Sequence, residues 1–325
     1  ASSHALVQGR LNSITIDVAA LTNISRDHLD YHGDMDSYSA AKSQLFDFAS
    51  IKSAVLNGAD SLGQALINKL EERDSLSTLT YSSVESTSAS FQAKNIQMTN
   101  DGLSFELSHE LETANIQSKL VGRFNVDNLL ATAACLMAVG MTFKQAVAAV
   151  NNCQSVDGRM QSYGDAQHAH IVVDFAHTPD ALSQALTSLE AHTPVNGELW
   201  CVFGCGGDRD TGKRSVMGKV AEKFADKIVI TDDNPRSEDS AAIVKDILSG
   251  MSHPEAVLIE TDRKLAITHA ITHAKAADSV LIAGKGHEQY QEVMGIKYKF
   301  SDSQVVMDVL QAANDESSDS VGETA

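Results

Sequence analysis

The 325-residue chain has only four cysteines, Cys135, Cys153, Cys201 and Cys205, too few and too scattered for a disulfide framework. Only Cys201 and Cys205 are close, and no second pair or histidine partners stand at zinc-ligand spacing, which excludes a zinc module. A reducing cytoplasm is the expected compartment. Long apolar runs are also missing. The longest, residues 129–141, is too short to span a bilayer and reads as a buried helix. Positive charge is scarce: 25 Lys and Arg face 43 Asp and Glu, for a net charge of −18. With no basic run, a nucleic-acid partner is excluded, and anionic ligands must be held by a few placed arginines. The chain opens on Ala1-Ser2-Ser3-His4, without a methionine or a leader pattern, so it reads as a fragment. Finally, no G-x-x-x-x-G-K-[ST] phosphate loop occurs. The nearest approach, Gly207 to Lys213, is followed by Arg214, where a hydroxyl is needed to bind Mg²⁺, and it reads as an anion-binding helix start.

What is present is apolar enough, at 43%, for about two domains at the usual ~150 residues each. Residues 13–20 alternate Ile14, Ile16 and Val18, which predicts a strand. The polar stretch 22–33 then forms a loop at its carboxyl end, the edge where open α/β sheets bind ligands. A helix is predicted over 36–49. Tyr38, Lys42, Leu45 and Ala49 recur at i, i+4, i+7 and i+11, putting Lys42 on the apolar face. Such a lysine either snorkels its ammonium to water or is desolvated enough to lose its proton. The neutral amine can take up carbon dioxide as a carbamate able to hold Mg²⁺. Periodicity leaves both open.

Further along, a strand at 53–56, a helix at 61–72 and a β-prone region at 76–90 continue the α/β pattern. Strands at 91–98 and 103–107 flank Asp101-Gly102, a hairpin signal that predicts a peripheral antiparallel sheet. Asn125 is suited to cap the helix that follows, while Asn125 and Asn128, three apart, could also meet a base edge. Residues 155–160 read as a linker, with a second domain from 157. Strands at 170–175, 199–203, 227–231, 256–260 and 279–283 alternate with helices, predicting a doubly wound, mostly parallel sheet. Their carboxyl ends carry Asp174 to Asp180, the Gly204 to Arg214 loop, Asp232-Asp233-Asn234-Pro235-Arg236 and Gly284-Lys285-Gly286-His287-Glu288. In the first of these, Thr178, Pro179 and Asp180 suit a helix start. The acidic, Ser-rich tail 314–325 is expected to be disordered.

The stretch TNISRDHLDYHGDMDSYSAAKSQLF, residues 22–46, resembles the central-domain signature of the Mur ligases, specifically the MurE type that adds the third residue of the peptidoglycan stem peptide. The resemblance implies an N-terminally truncated central ATP-binding domain (1–156), a Rossmann-like C-terminal domain (157–313), and a monomer using ATP and Mg²⁺. It implies that Lys42 is carbamylated and that His28 binds a magnesium ion. Asn125 and Asn128 would meet the nucleotide base, Arg159 and Asp174 the ribose, with His177 nearby. Ser2, Gln8 and Arg10 would hold UDP-MurNAc-L-Ala-D-Glu. Arg209, Asp233, Asn234, Arg236, Gly284 and Glu288 would hold meso-diaminopimelate, the D-N-P-R form separating its users from lysine users. The expected reaction is amide formation between the D-Glu carboxylate and meso-diaminopimelate through an acyl phosphate, in peptidoglycan precursor synthesis. Without a phosphate loop, residues 1–325 alone should not ligate. The rival readings are a metallohydrolase, from His28 and His32 at i, i+4, and a non-catalytic ligand-binding fragment. The first departs from H-E-x-x-H.

Overall fold

The computed structural model describes residues 1–24, 28–73, 75–99, 102–164 and 167–322, with the side chains of 29, 30 and 316–322 left aside. Two compact units emerge. The first comprises Ala1–Gln97, Ser104–Ser118 and Arg123–Cys153; the second comprises Met98–Leu103, Lys119–Gly122 and Gln154–Ala325.

Unit one is built on six strands, β1 (Val18–Leu21), β2 (Ser53–Asn57), β3 (Ser77–Ser82), β4 (Phe91–Thr99), β5 (Gly102–His109) and β6 (Glu112–Ser118), which lie side by side in chain order. β1, β2 and β3 pair in parallel. β2 is buried at every position, as a strand covered on both faces must be. Ala54 and Leu56 pack with Phe46, Leu66 and Leu70. The helices are α1 (Ser3–Val7), α2 (Leu29–His32), α3 (Met35–Ser43), α4 (Ser61–Leu70), α5 (Phe124–Ala138) and α6 (Phe143–Asn151). Aspartates cap two of them: Asp34 accepts from Ser37 N at 2.7 Å, and Asp60 accepts from Leu62 N and Gly63 N. Such caps satisfy amides that a helix start leaves without partners.

Several expectations for this unit are corrected. The strand predicted over 13–20 starts only at Val18, because Ser50 Oγ takes both the amide and the carbonyl of Ile16, at 2.9 and 3.1 Å, removing the groups a ladder would use. The loop 22–33 contains α2, and the helix 36–49 ends at Ser43 in a 3₁₀ turn, Gln44–Asp47. The peripheral antiparallel sheet is instead the continuation of one sheet, joined where β3 and β4 pair in parallel through Tyr81 and Phe91. Asp101 of the expected Asp-Gly turn lies outside the described residues. Asn125 is not the cap: Arg123 occupies that position and Asn125 sits in the first turn of α5.

Unit two is the expected doubly wound sheet. Its strands, β7 (Gln161–Tyr163), β8 (His170–Asp174), β9 (Leu199–Phe203), β10 (Lys227–Ile230), β11 (Leu258–Ile259) and β12 (Ser279–Ala283), lie in the order β11-β10-β9-β12-β8-β7. All pairs are parallel except β7 with β8. Alternation along the strands sorts side chains to two faces. Val172, Cys201, Phe203, Ile230 and Leu281 pack on α7 (Pro179–Glu190), α8 (Gly212–Phe224) and α9 (Ser240–Leu248). Ile171, Val173, Val202, Val229 and Ile282 pack on α10 (Arg263–His273) and α11 (Asp302–Gly322). A separate hairpin, β13 (Tyr290–Val293) and β14 (Ile296–Lys299), follows β12. Its turn residues Met294 and Gly295 have φ of 50° and 76°, the left-handed pair that two-residue hairpin loops require. Helix α11 runs from Asp302 to Gly322. No proline or earlier glycine stops it, and i,i+4 bonds such as Gln311 Nε2 to Asp315 Oδ1, 2.9 Å, support it.

Candidate functional site

The last strand to join the six-stranded sheet of unit two, β12, is inserted between β8 and β9, so the loops leaving β8, β9, β10 and β12 gather at one carboxyl edge, as at switch points that bind ligands in open α/β sheets. At its centre is Lys285, fully buried. Its ammonium donates to Asn234 Oδ1 at 3.0 Å and to Glu288 Oε2 at 2.9 Å, and lies 3.7 Å from Asp233 Oδ1. Asn234 is used on both ends: Nδ2 donates to Glu288 Oε2 at 2.9 Å, and Oδ1 also accepts from Glu292 N at 2.9 Å. Burial pushes the Glu288 carboxyl up, but bonds from Asn234 and Lys285 and the charges of Lys285 and Arg236 outweigh it and hold the group below its ordinary value. Gly284, at φ +119°, lies against the Asp233 carboxylate.

Arg236 closes this cluster. Its backbone, at φ 53°, is pinned to β13 by Arg236 N to Glu292 O, 3.0 Å, and Met294 N to Arg236 O, 2.6 Å. Its side chain donates from Nη1 to Gly207 O at 2.7 Å and reaches Glu292 at 3.5 Å. Among the described residues Nη2 has no hydrogen-bond partner, so one arm of the fork stays available. Gly206 lies between the Arg236 Nη1 and the Arg209 Cγ, which brings the exposed Arg209 beside the others.

Arg214 behaves differently from the arginine of a phosphate site. It is 1% exposed and spans Glu238 at 2.9 Å, Asp246 at 3.0 Å and Gly206 O at 3.2 Å. It is a buried brace for the loop and not an anion contact, while α8 starts without a side-chain cap.

A second group surrounds the end of β8. Asp174 accepts from Met160 N and Ala176 N, each at 2.8 Å. Burial raises its carboxyl, and these amides and the Arg159 charge only partly offset that. Arg159 is exposed, with its guanidinium 4.8 Å from the Phe175 ring centre. His177 Nδ1 bonds Phe175 O at 2.8 Å, and Lys213 Nζ donates to His177 O at 2.8 Å. The ring of Phe175 also approaches His287 at 5.4 Å. Gly158 must be glycine here: at φ +64°, a Cβ would lie 2.1 Å from His287 N.

Unit one holds the remaining expected residues. Lys42 is half-buried, its Nζ 5.8 Å from the centre of the Tyr38 ring, with no hydrogen bond or ion pair to the described residues. The inward placement expected from periodicity is therefore partial. His28, at φ 55°, places its ring 5.9 Å from the same tyrosine. Among the described residues no group of three or more His, Cys, Asp or Glu is arranged to hold a metal ion. Two donors can suffice for Mg²⁺, which keeps several waters and substrate phosphates. The metallohydrolase alternative loses its footing, because His28 precedes α2, His32 lies inside it, and His32 Nε2 bonds Ser3 Oγ at 2.9 Å. Ser2 caps α1 by accepting from Ala5 N at 3.1 Å. Gln8 donates to Tyr31 Oη at 3.5 Å, and Arg10 is exposed. Asn128 Nδ2 donates to Asn125 Oδ1 at 2.9 Å.

Sequence reasoning missed the part played by Lys285, although a lysine between two glycines in a loop leaving a strand was its visible signal. It also missed Glu292 and Gln291, whose Nε2 donates to Asp233 O at 2.9 Å. No local pattern ties that hairpin to a loop 58 residues earlier.

Residues 1–136 match the Mur ligase middle domain, and residues 158–286 match the Mur ligase glutamate ligase domain. The UDP-N-acetylmuramoyl-L-alanyl-D-glutamate–2,6-diaminopimelate ligase of Xanthomonas campestris pv. campestris (strain 8004) is 49% identical over 311 residues, 95% of this chain and 62% of the relative. The enzyme of the same name from Xylella fastidiosa (strain 9a5c) is 47% identical over 313 residues, 96% and 62% of the two chains. The chain thus spans less than two thirds of these relatives. A solved structure of a 2,6-diaminopimelate ligase of that name superposes with a TM-score of 0.77 at 39% identity, over 97% of this chain and 64% of the other. A MurF ligase from Thermotoga maritima in complex with ADP, at 16% identity and TM-score 0.58 over 86% of this chain and 60% of that one, shares the fold.

Proposed function

The chain belongs to the Mur ligase family, and from that membership we propose that it supplies the middle and C-terminal parts of an ATP-dependent ligase joining meso-diaminopimelate to UDP-MurNAc-L-Ala-D-Glu in peptidoglycan precursor synthesis. The observation that carries the amino-acid choice is Arg236, with Nη2 unengaged, beside the Glu288–Lys285–Asp233 charges. A guanidinium arm grips the distal carboxylate that lysine lacks, and the Glu288 carboxylate faces the distal ammonium. Arg209, Asn234 and Gly284 shape the same pocket.

In the reaction, a D-Glu carboxylate oxygen attacks the γ-phosphorus of ATP and ADP leaves. The amine of meso-diaminopimelate then attacks the acyl phosphate carbon, and phosphate departs from the tetrahedral intermediate. No side-chain nucleophile is needed, so the protein contributes positioning and charge neutralisation. Asp174 takes ribose hydroxyls with Arg159, His177 lies alongside, and Asn125 and Asn128 meet the base. Ser2, Gln8 and Arg10 hold the UDP-MurNAc-dipeptide. His28 and Lys42, the latter as its carbamate, would hold Mg²⁺, which would supply charge neutralisation at the transferring phosphoryl group.

In the full-length protein, ADP release should require both UDP-MurNAc-L-Ala-D-Glu and meso-diaminopimelate. ADP release independent of either would overturn the assignment, as would binding without turnover. Lys42→Ala should abolish turnover, with partial rescue by a short carboxylic acid. Normal turnover in that variant would remove the carbamate role.

A further inference from the structure

A lysine with no exposed surface that points its ammonium at two carboxylates and an amide oxygen is costly unless that arrangement serves something. Three of the groups it meets, Asp233, Asn234 and Glu288, come from loops about fifty residues apart, and all three belong to the amino-acid pocket described above. Taking the diaminopimelate ligase assignment as given, we propose that Lys285 is the positioning residue of that pocket, fixing Glu288 and Asn234 in one orientation and balancing their charge so that substrate meets a preformed site.

The geometry supports this at each group. Glu288 Oε2 is held twice, by Lys285 Nζ at 2.9 Å and Asn234 Nδ2 at 2.9 Å, so that oxygen is spent inside the protein and Oε1, which makes no hydrogen bond within the described residues, is the oxygen left for a ligand. Asn234 has its amide orientation settled: Oδ1 accepts from Lys285 and Glu292 N, so Nδ2 must be the end that faces Glu288. Asp233 Oδ1 is buried without a hydrogen-bond partner, 3.7 Å from the ammonium. With no surface of its own, that oxygen is offset inside the protein by the charge of Lys285. Lys285 therefore touches no substrate atom, yet it decides which oxygens are spent inside the protein and which remain. A neutral residue there would take away the one ammonium bonded to Glu288, leaving the more distant charges of Arg236 and Arg263, and Glu288 would be easier to protonate. Glutamine or methionine could fill the space but could not supply that charge.

The test uses full-length enzyme carrying Lys285→Met, with Lys285→Met/Glu288→Gln as the second variant, which removes the unbalanced carboxylate along with the ammonium. KM is measured separately for meso-diaminopimelate, ATP and UDP-MurNAc-L-Ala-D-Glu, with thermal unfolding and the pH dependence of kcat/KM. Losing a charge-assisted pair at a site should raise KM for the amino acid by about tenfold or more and leave the other two within about twofold. The acid limb of the amino-acid kcat/KM profile should move to higher pH in Lys285→Met as Glu288 becomes easier to protonate. The double variant should recover Tm but not KM. Equal losses for all three substrates that track Tm would make Lys285 merely structural and overturn the proposal, as would an unchanged amino-acid KM in a folded Lys285→Met. Wild-type enzyme that fails to turn over meso-diaminopimelate would instead sink the ligase assignment, and the positioning role with it.

Discussion

At the scale of single residues, Arg236 shows how a left-handed backbone and a specific side chain can be needed at one position. Its φ of 53° turns the loop so that the guanidinium reaches Gly207 O with Nη1, while Nη2 bonds none of the described residues. Arg236→Ala removes the fork without changing the backbone preference between two non-glycine residues. We expect kcat/KM for meso-diaminopimelate to fall by roughly 2–5 kcal/mol in activation terms, and that for L-lysine to fall much less. Equal losses for the two amino acids would reduce Arg236 to a turn residue. The residue scale is also where sequence reading was strongest and weakest. Asp233, Asn234, Arg236, Gly284 and Glu288 were legible as motifs at strand ends, and they converge. Arg214 was visible as a departure from a phosphate loop, but its burial between Glu238 and Asp246 was not, because those partners lie 24 and 32 residues away.

At the scale of elements, the strands at 199–203 and 279–283 were legible to the residue because fully buried parallel strands are short apolar runs. β1, β6 and the β13–β14 hairpin were not, since edge and solvent-facing strands lack that run and their pairing is decided by distant partners. The junction of α10 and α11 depends on such a partner. Arg263, 1% exposed, donates from Nε and Nη2 to the two oxygens of the fully buried Asp302 at 2.7 and 2.8 Å, and from Nη1 and Nη2 to the carbonyls of Asp232 and Ala283. Arg263→Met should cost roughly 3–5 kcal/mol, because it leaves a carboxylate buried without its counter-charge. Adding Asp302→Leu should recover most of that loss in urea denaturation. A single variant as stable as wild type would show that water reaches Asp302.

At the scale of the whole molecule, no helix among the described residues is long and apolar enough to cross a membrane, and stability in the second unit should carry a recognisable pH signature. His192, 2% exposed, donates from Nδ1 to Thr99 O at 2.8 Å and accepts from Gly122 N at Nε2, 2.9 Å. Only the neutral ring can do both. Burial lowers its pKa below the ordinary 6.5, although the bonds to Thr99 and Gly102 push the other way. The unfolded chain therefore takes up the proton first. The contribution is fully present above about pH 6.5 and is lost as pH falls from there toward the folded-state value. Thermal unfolding from pH 8 to 5 should show a steeper acid-side fall in wild type than in His192→Gln; parallel curves would remove His192 from the account. A different consequence follows from the way the Arg236 backbone and the Asn234 side chain are stitched to the backbone of Glu292 and Met294. The D-N-P-R loop and the β13–β14 hairpin are bonded together as one part, so the amino-acid selectivity proposed above is not expected to move with four letters transplanted alone. Grafting Asp233 to Arg236 into a lysine-adding relative should leave its preference largely unchanged, whereas moving that loop together with residues 284–299 should carry the preference across, because the hairpin acts as the jig that sets the angle of the arginine.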